Sequence, residues 1–238
     1  MKKTLSTSLI VMILVFSLGL CAYANLPKPI LIDDFEDSNM TKNPNWWTFK
    51  DDDIEFNLNI LTAKKFKIKE LGKYYLDING YAKNWYVGGF GMYLAQPADK
   101  YSHVQIDIYG AGDNSGKLKI ELYDDDNNNT TLEQNIAMNY APVKDDKVSY
   151  EMNIDWKGWR QVLVPFEEFE DVNPKVGNDK WDPDDKEGSG GLLHVQFIAI
   201  ANSATGNIKF KMDNIRIVKY IEPVESETET GEDEEIAD

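Results

Sequence analysis

The chain has 238 residues and a formal net charge of −16. A protein that binds nucleic acid presents a basic surface to the phosphates, so this charge excludes DNA, RNA and anionic lipid as expected partners. Hydrophobic residues make up 42% of the chain and aromatic residues 12%, which excludes a wholly disordered protein. The length is that of one large domain or two small ones.

The N-terminus has the pattern of a secretory signal peptide. Two lysines are followed by a mostly apolar run over residues 9–20, which is too short to span a bilayer comfortably. Small residues, Ala22 and Ala24, occupy the two positions that a signal peptidase reads. We therefore expect residues 1–24 to be cleaved before Asn25. The mature chain would then have no transmembrane segment and would be secreted or periplasmic.

Cys21 is the only cysteine and falls within the predicted signal peptide. A lipid anchor on Cys21 is the alternative to cleavage, although Leu20 stands where lipid-modified chains usually carry a small residue. After cleavage the mature chain has no disulfide, thiolate metal site or cysteine nucleophile. Its stability must then come from a hydrophobic core.

The negative charge divides between a tail and a body. Residues 222–238 contain nine acidic residues and no basic or aromatic one, a composition typical of a solvated, disordered tail. Residues 25–221 carry 23 basic against 32 acidic residues, or −9. We assign this segment to a single domain, because a chain of about 200 residues buries a substantial core without crosslinks.

The body is predicted to be all-β, an antiparallel two-sheet β-sandwich. Short apolar runs show the two-residue period or the continuous apolarity of strands, and only residues 165–170 suggest a helical turn. Turn-rich segments at 110–116, 124–131 and 173–191 separate them. Many short strands with turns between them favour a sandwich. The predicted strand cores are 104–108, 118–122, 162–164, 195–200, 208–212 and 215–217.

Five segments form an ordered set that covers nearly the whole body. They are IDDFED at 32–37 with WWTF at 46–49, WYVGG at 85–89, the strand pair 103–109 and 117–123, WRQVLVPFEEF at 159–169, and IAIAN at 198–202 with MDNIRI at 212–217. The set resembles the galactose-binding-like jelly-roll modules, with carbohydrate-binding module family 11 and its relatives as the nearest match. The resemblance implies a jelly-roll fold and a carbohydrate ligand.

Aromatic residues of the fourth segment are interpreted as structural. We expect Trp159 to fill the sandwich core and Pro165 to end its strand, because proline cannot donate to a β-ladder. Phe166 and Phe169 are three residues apart and are expected to fold back on the core as one helical turn.

The resemblance also implies a structural calcium ion between the first and last strands. Calcium binds carboxylate and carbonyl oxygens, and the residues at the matching positions are Asp34, Glu36 and Asp213. Exposed or capping roles are the alternative for Glu36 and Asp213. The Asp and Asn run at 124–129 also looks like a calcium loop, but it lacks the glycine and terminal glutamate of an EF-hand. A polar hairpin loop is the favoured interpretation of that run.

A sugar-binding concave face is the second implication. Aromatic rings stack on the apolar faces of sugars, and polar side chains hydrogen-bond the hydroxyl groups. At the matching positions, Phe49 and Trp85 are the predicted platforms and His194 the predicted polar contact.

Three further positions qualify this expectation. Phe197 and Ile200 match positions on the same face where sugar-binding relatives tend to carry hydrogen-bonding groups, so the face is expected to be partly closed or to bind something else. Trp181, in the long loop at 173–191, is an additional exposed-aromatic candidate for ligand binding. Its alternative role is to anchor that loop.

No catalytic motif is found. His103 and His194 each begin an apolar strand and there is no G-x-S-x-G elbow, which leaves a Ser-His-Asp triad without support. A phosphate-binding loop, a dinucleotide fingerprint and an HExxH motif are also missing from the sequence. We therefore predict a noncatalytic protein.

Two functions of different classes remain. The leading hypothesis is a binding module that holds a polysaccharide or oligosaccharide in a groove by aromatic stacking and hydrogen bonds. The alternative is an extracytoplasmic structural protein, of the coat or sheath type, that self-assembles without binding sugar. The apolar Ile200 region supports the alternative.

Overall fold

The computed structural model describes residues 26–66, 71–184, 186 and 190–222. Short strands dominate these residues, and the helices among them are single 3-10 turns. The strands are β1 Ile30–Asp33, β2 Trp47–Phe49, β3 Glu55–Thr62, β4 Tyr74–Ala82, β5 Tyr86–Gln96, β6 His103–Ala111, β7 Lys117–Asp125, β8 Gln134–Asn135, β9 Ala141–Pro142, β10 Asp146–Asn153, β11 Lys157–Pro165, β12 Glu170–Asp171, β13 Gly191–Ile200 and β14 Gly206–Val218. The 3-10 turns are Ala63–Lys65, Ile136–Met138 and Phe166–Glu168.

Two antiparallel sheets form the predicted sandwich. The first sheet has the order β11-β6-β14-β4-β3, with β1 also paired to β14. Pro165 ends β11 as predicted, and β11 lies at a sheet edge, where proline is tolerated because it cannot donate to a ladder. The second sheet has the order β12-β10-β7-β13-β5-β2. β8 and β9 form a separate two-stranded pair.

The hydrophobic core lies between the two sheets. Alternate residues of each strand point inward, as the two-residue period predicts. Side chains from both sheets meet there without solvent exposure, among them Ile106, Ile108, Ile120, Leu122 and Phe210. Phe166 and Phe169 pack against the same core from the 3-10 turn that follows β11, which confirms their predicted role.

The expectation that Trp159 fills the core is wrong. Trp156 packs in the core cluster instead. Trp159 is paired with Tyr109 across β11 and β6, and Tyr109 alternates with the buried Ile108. Both rings therefore point to the outer side of the first sheet, where Trp159 contacts Phe66 at a centroid distance of 5.5 Å.

Part of the outer side of the first sheet is covered by the chain itself. Leu71 and Phe66 close over Tyr75 there. Beside them Lys211 forms a buried ion pair with Asp77, and Lys211 Nζ lies 5.4 Å from the centre of the Tyr75 ring. Around Tyr75 the outer side of the first sheet is therefore filled with protein side chains.

The two strand cores predicted at 208–212 and 215–217 belong to one strand, β14. The pairing of β14 with β6 shifts register between Asp213 and Arg216, and Asn214 has a positive φ of 50°. This irregularity has the character of a β-bulge, which interrupts the alternation without ending the strand.

The predicted signal peptide, residues 1–24, lies outside the described residues. So does the predicted tail after its first residue, Glu222. Cleavage before Asn25 and disorder of the tail therefore stay predictions. Within the part of the chain that the structure describes, no helix is both long enough and apolar enough to cross a membrane.

Two adjacent tryptophans at the start of β2 give a test of the core. Trp46 is buried in the core, and its indole N–H donates to Asp33 Oδ2 at 2.6 Å. Trp46→Phe removes that donor and leaves a buried carboxylate oxygen unpaired. We expect the free energy of unfolding to fall by about 1–3 kcal/mol, measured by urea denaturation at neutral pH.

The matched control is Trp47→Phe, one residue along the chain. Trp47 lies on the outer side of the sheet and is half-buried, so its substitution loses some packing but leaves no buried carboxylate unpaired, and it should lower the free energy of unfolding by less than Trp46→Phe does. Equal losses in the two variants would contradict the assignment of Trp46 to the core.

Candidate functional site

The outer side of the second sheet is an open surface whose side chains follow the strand register. Outward residues of neighbouring strands stand side by side in rows that cross the sheet. Strands are about 4.8 Å apart and successive rows about 7 Å apart in β-sheet geometry. The rows are Tyr93-His194-Tyr123-Lys147, Trp47-Gly91-Gln196-Glu121-Ser149 and Phe49-Gly89-Ile198-Lys119-Glu151. We call the surface formed by these three rows the aromatic face.

Two glycines of β5 form the floor under the aromatic rings of β2. A Cβ atom on Gly91 would lie 2.7 Å from Trp47 Cζ2, and a Cβ atom on Gly89 would overlap the ring of Phe49. Because these two residues have no side chain, the rings of Trp47 and Phe49 approach the backbone of β5 closely. Trp47 and Phe49 are half-buried, so part of each ring stays accessible to a ligand.

His194 stands at the centre of an aromatic group. Its ring centroid lies 5.1 Å from that of Trp47, 5.4 Å from that of Tyr93 and 6.1 Å from that of Tyr123. The Tyr123 hydroxyl donates to Glu121 Oε2 at 3.0 Å. This contact joins the aromatic rings to the polar half of the aromatic face.

Glu121 is a buried carboxylate held between two lysines. Its Oε1 lies 3.0 Å from Lys119 Nζ and 2.9 Å from Lys147 Nζ. Burial alone would raise the pKa of Glu121, but the attraction of Lys147 and Lys119 outweighs it, and the pKa is lowered. With Glu151, the three rows carry two lysines and two glutamates, so the aromatic face has balanced charge although the whole chain is acidic.

His194 is neutral at physiological pH. Burial lowers the pKa of its imidazole to about 4. Nδ1 is buried and has no hydrogen-bond partner among the described residues, and an unpaired buried N–H is costlier than an unpaired acceptor. The favoured tautomer therefore carries the proton on Nε2, which makes that atom the donor that His194 can offer.

This combination of groups suits a ligand that is flat and apolar on one side and hydroxylated at its rim. Sugar rings have that character: aromatic platforms contact their C–H faces, and amide, imidazole and carboxylate groups bond their hydroxyls. The aromatic face offers groups of both kinds: the rings of Trp47 and Phe49, and the polar side chains of Gln196 and His194. Glu121 is buried, and both of its oxygens already have partners.

Phe49 and His194, two of the four residues predicted to bind ligand, lie on the aromatic face. Trp85 lies in the turn before β5, where it is 48% exposed and its backbone bonds to Ala204 and Ala201. Among the described ring contacts, none joins Trp85 to the aromatic face. Trp85 thus stands at the end of the sheet, beyond the three rows.

Trp181 lies in a different part of the molecule. Its ring packs against Phe166 at a centroid distance of 5.4 Å and lines a cleft of about 490 Å³ together with His103 and Tyr220. It is half-buried against the core cluster. This position matches the alternative role of a loop anchor.

The expectation that Phe197 points to the concave face is wrong. Phe197 is fully buried and contacts Phe90 in the core at a centroid distance of 5.4 Å. Residues three apart on a strand point to opposite sides, so Phe197 and Ile200 cannot share a face. Ile200 is the outward one and lies beyond the third row. The two residues were expected to close part of the binding face with apolar side chains, but only Ile200 is on that side of the sheet.

Sequence reasoning did not single out Trp47, Tyr93, Tyr123 or Gln196. The signal for Trp47 was available: in a pair of adjacent strand tryptophans, one must face out if the other is buried. The tyrosines and Gln196 could be found only by register, because they come from three strands that are distant in sequence.

Of the three residues predicted to bind calcium, Asp213 lies at the bulge of β14, and Asp34 and Glu36 are near enough for their charges to act on it. Their ligand oxygens do not all converge within 4.8 Å; among the described residues such a group is formed by Asp124, Asp126 and Asp182. Asp213 is 1% exposed, and its Oδ2 has no hydrogen-bond partner among the described residues. Burial raises the pKa of Asp213 to about 8, and repulsion from Asp107, Glu36 and Asp34 adds to it. An uncompensated buried oxygen of this kind fits a cation. Glu36 Oε1, in contrast, already accepts from the backbone N–H groups of residues 73 and 74.

The two-sheet sandwich is that of a jelly-roll carbohydrate-binding module, as its family membership shows. The sequence profile of the family described as surface glycan-binding protein B xyloglucan-binding domain matches residues 28–219. The chain belongs to this family. A search of curated protein sequences finds no match.

Solved structures with similarity to the chain include several carbohydrate-binding modules. The family 11 module of a cellulosomal cellulase of Clostridium thermocellum is 17% identical, with a TM-score of 0.49 over 83% of this chain and 98% of that one. The Clostridium thermocellum family 11 module in complex with a β-1,3-1,4-mixed-linked tetrasaccharide is 18% identical, with a TM-score of 0.49 over 82% and 98%. A family 30 module is 14% identical, with a TM-score of 0.48 over 84% and 92%.

The environment of His194 makes a testable prediction about pH. Its folded-state pKa of about 4 lies below the ordinary value of 6.5, so the stabilising contribution of the neutral ring is complete above pH 6.5 and is lost as pH falls toward 4. The imidazole chemical shifts of His194, followed by NMR, should show no protonation between pH 8 and about 5. A titration midpoint near 6.5 would contradict the buried, neutral assignment.

Proposed function

We propose that the protein binds a neutral β-linked glucan chain on the aromatic face, with xyloglucan as the first ligand to test. The carrying observation is that the rings of Trp47 and Phe49 occupy the space that side chains at Gly91 and Gly89 would fill, with polar side chains beside them. The family is described as xyloglucan-binding, which supports this choice of ligand. The balanced charge of the three rows favours an uncharged polymer over an acidic one.

In this proposal the two aromatic rings hold successive sugar units. Trp47 and Phe49 are alternate residues of β2, so their Cα atoms are spaced by about 7 Å and both side chains project from the same side of the strand. Gln196 offers both a donor and an acceptor to the sugar hydroxyls. His194 Nε2 adds a donor. The groove would run along β2 and β5, with the glycines of β5 as its floor.

We infer that this binding is noncatalytic. A glycosidase needs a carboxylic acid with a raised pKa beside a second carboxylate. Glu121 has the opposite property, because Lys147 and Lys119 hold its pKa down and bind its Oε1, while its Oε2 accepts from the Tyr123 hydroxyl. It is suited to orienting donors, not to protonating a leaving group.

We also infer that the protein acts outside the cytoplasmic membrane. Residues 1–24 have the pattern of a signal peptide, and the family is described as surface glycan-binding. In this proposal the exported chain begins at Asn25, in the periplasm or at the cell surface.

Removal of the larger platform tests the binding proposal. Trp47→Ala should lower the affinity for xyloglucan oligosaccharides by at least about 30-fold, because a central aromatic contact typically contributes about 2 kcal/mol or more. Isothermal titration calorimetry measures the affinity, and circular dichroism checks the fold of the variant.

The control is Tyr81→Ala, which removes a 40% exposed aromatic ring from β4, in the first sheet. Its affinity should equal that of the unsubstituted protein. If neither the unsubstituted protein nor Tyr81→Ala binds any glycan, and light scattering shows that the unsubstituted protein forms a stable polymer, the assembly hypothesis replaces the binding proposal.

We propose in addition that Asp213, with Asp34 and Glu36, holds the structural calcium ion that the family resemblance implies. The buried, unpartnered Oδ2 of Asp213 supports it. A ligand that binds only the native state raises stability, so calcium should raise the melting temperature, and Asp213→Asn should reduce that rise.

The control for this test is Asp155→Asn, at an exposed carboxylate between β10 and β11. It should respond to calcium as the unsubstituted protein does. An equal rise in melting temperature for Asp213→Asn would show that Asp213 does not bind the ion.

A further inference from the structure

Four aspartates meet at one end of the second sheet, away from the residues of the aromatic face. Asp124 is the last residue of β7 whose side chain points to the inner side of the sheet, and it is paired with Asp146, the first residue of β10. Asp126 follows β7, and Asp182 comes from the loop between β12 and β13. We call these four residues the acidic cluster. Three separate segments of the chain contribute to it.

The carboxylates of the acidic cluster converge. One oxygen each from Asp124, Asp126 and Asp182 lie within 4.8 Å of one another. Asp124 is completely buried and Asp146 is 3% exposed. Gly177 brings the loop close to them: a Cβ atom there would overlap carboxylate oxygens of Asp126 and Asp146.

In Asp124, Asp126 and Asp146, one carboxylate oxygen accepts a backbone hydrogen bond and the other has no hydrogen-bond partner among the described residues. Asp124 Oδ2 accepts from the backbone N–H of Asp182 at 2.8 Å, and Asp126 Oδ2 accepts from that of Asp146 at 2.7 Å. Asp146 Oδ2 accepts from the backbone N–H of Lys180 at 3.0 Å. The remaining Oδ1 atoms of Asp124, Asp126 and Asp146 are buried without a hydrogen-bond partner among the described residues. Backbone contacts thus orient the carboxylates and leave three oxygens free.

Backbone N–H groups are the partners found for the carboxylates of Asp124, Asp126 and Asp146, and no cationic side chain of the described residues is paired with them. None of the ion pairs among the described residues includes a member of the acidic cluster. Burial raises the pKa of Asp124 to about 8 and that of Asp126 to about 7, and mutual repulsion adds to both. Buried carboxylates in this situation need either protons or a cation.

We propose that Asp124, Asp126, Asp146 and Asp182 bind a calcium ion that ties the loop between β12 and β13 to the end of the second sheet. The donor set consists of carboxylate oxygens alone, which suits a hard cation that takes several oxygens, and Asp182, the most exposed of the four, leaves an entry path. The ion stabilises the loop that carries Trp181. This site is independent of the glycan-binding proposal and of the ion at Asp213.

Calcium titration of the full chain, stripped of metal with EDTA, tests the site by calorimetry. We expect the unsubstituted protein to bind one calcium ion more than Asp124→Asn, whose side chain has the same shape without the charge. Asp182→Asn, at an exposed position that folding tolerates, should weaken the same binding event by at least about tenfold. Asp155→Asn should leave it unchanged, and Asp213→Asn should retain it.

Melting temperatures check that the variants fold. Asp124→Asn removes an uncompensated buried charge, so in EDTA it should melt at or above the temperature of the unsubstituted protein. On adding calcium it should gain less than the unsubstituted protein does. The proposal is overturned if Asp124→Asn and Asp182→Asn bind calcium with the stoichiometry and affinity of Asp155→Asn. It is also overturned if the unsubstituted protein binds no calcium, because the cluster then holds protons.

Discussion

The glycines of β5 are the constraint on which the rest of the structure depends. On the outer side, Gly89 and Gly91 let the rings of β2 lie against the backbone, and on the inner side Gly88 lies directly against the ring of Phe56 from β3. Ordinary side chains at these positions would occupy the space of the rings. Side chains can therefore pack closely against β5 from both sides. On the inner side Phe56 of β3 does so, and on the outer side the rings of β2 do so and form part of the aromatic face.

The charge of the chain is arranged so that the aromatic face carries little of it. The three rows balance lysines against glutamates, and Glu121 is neutralised by its two lysine partners. Buried carboxylate oxygens without a partner among the described residues lie elsewhere, at Asp213, at Asp145 and in the acidic cluster. Binding of an uncharged ligand and binding of cations would thus occupy separate parts of one sandwich.

Much of the fold could be predicted from sequence, because alternation gives the strands wherever one side is buried. This held for β6 and β7. The strands β3, β4, β5 and β10 were not among the predicted strand cores, although β3 alternates along its length. In β5 the glycines have low strand propensity and the rings that cover them come from other strands. For the candidate site, Phe49 and His194 came from the resemblance, but the neighbours of His194 depend on register across four strands. The run at 124–129 looks like a calcium loop in the sequence and contains Asp124 and Asp126, although a polar hairpin loop is the interpretation that the sequence favours. Asp182 comes from a segment about 60 residues away and is joined to the acidic cluster only by the fold.

The location of binding is tested most directly by NMR chemical-shift mapping with a xyloglucan oligosaccharide. The largest perturbations should fall on β2, β5, β13 and β7, including the indole N–H of Trp47 and the ring of His194. Perturbations centred on the cleft beside Trp181, or on the outer side of the first sheet around Tyr81, would contradict the assignment of the aromatic face as the binding surface.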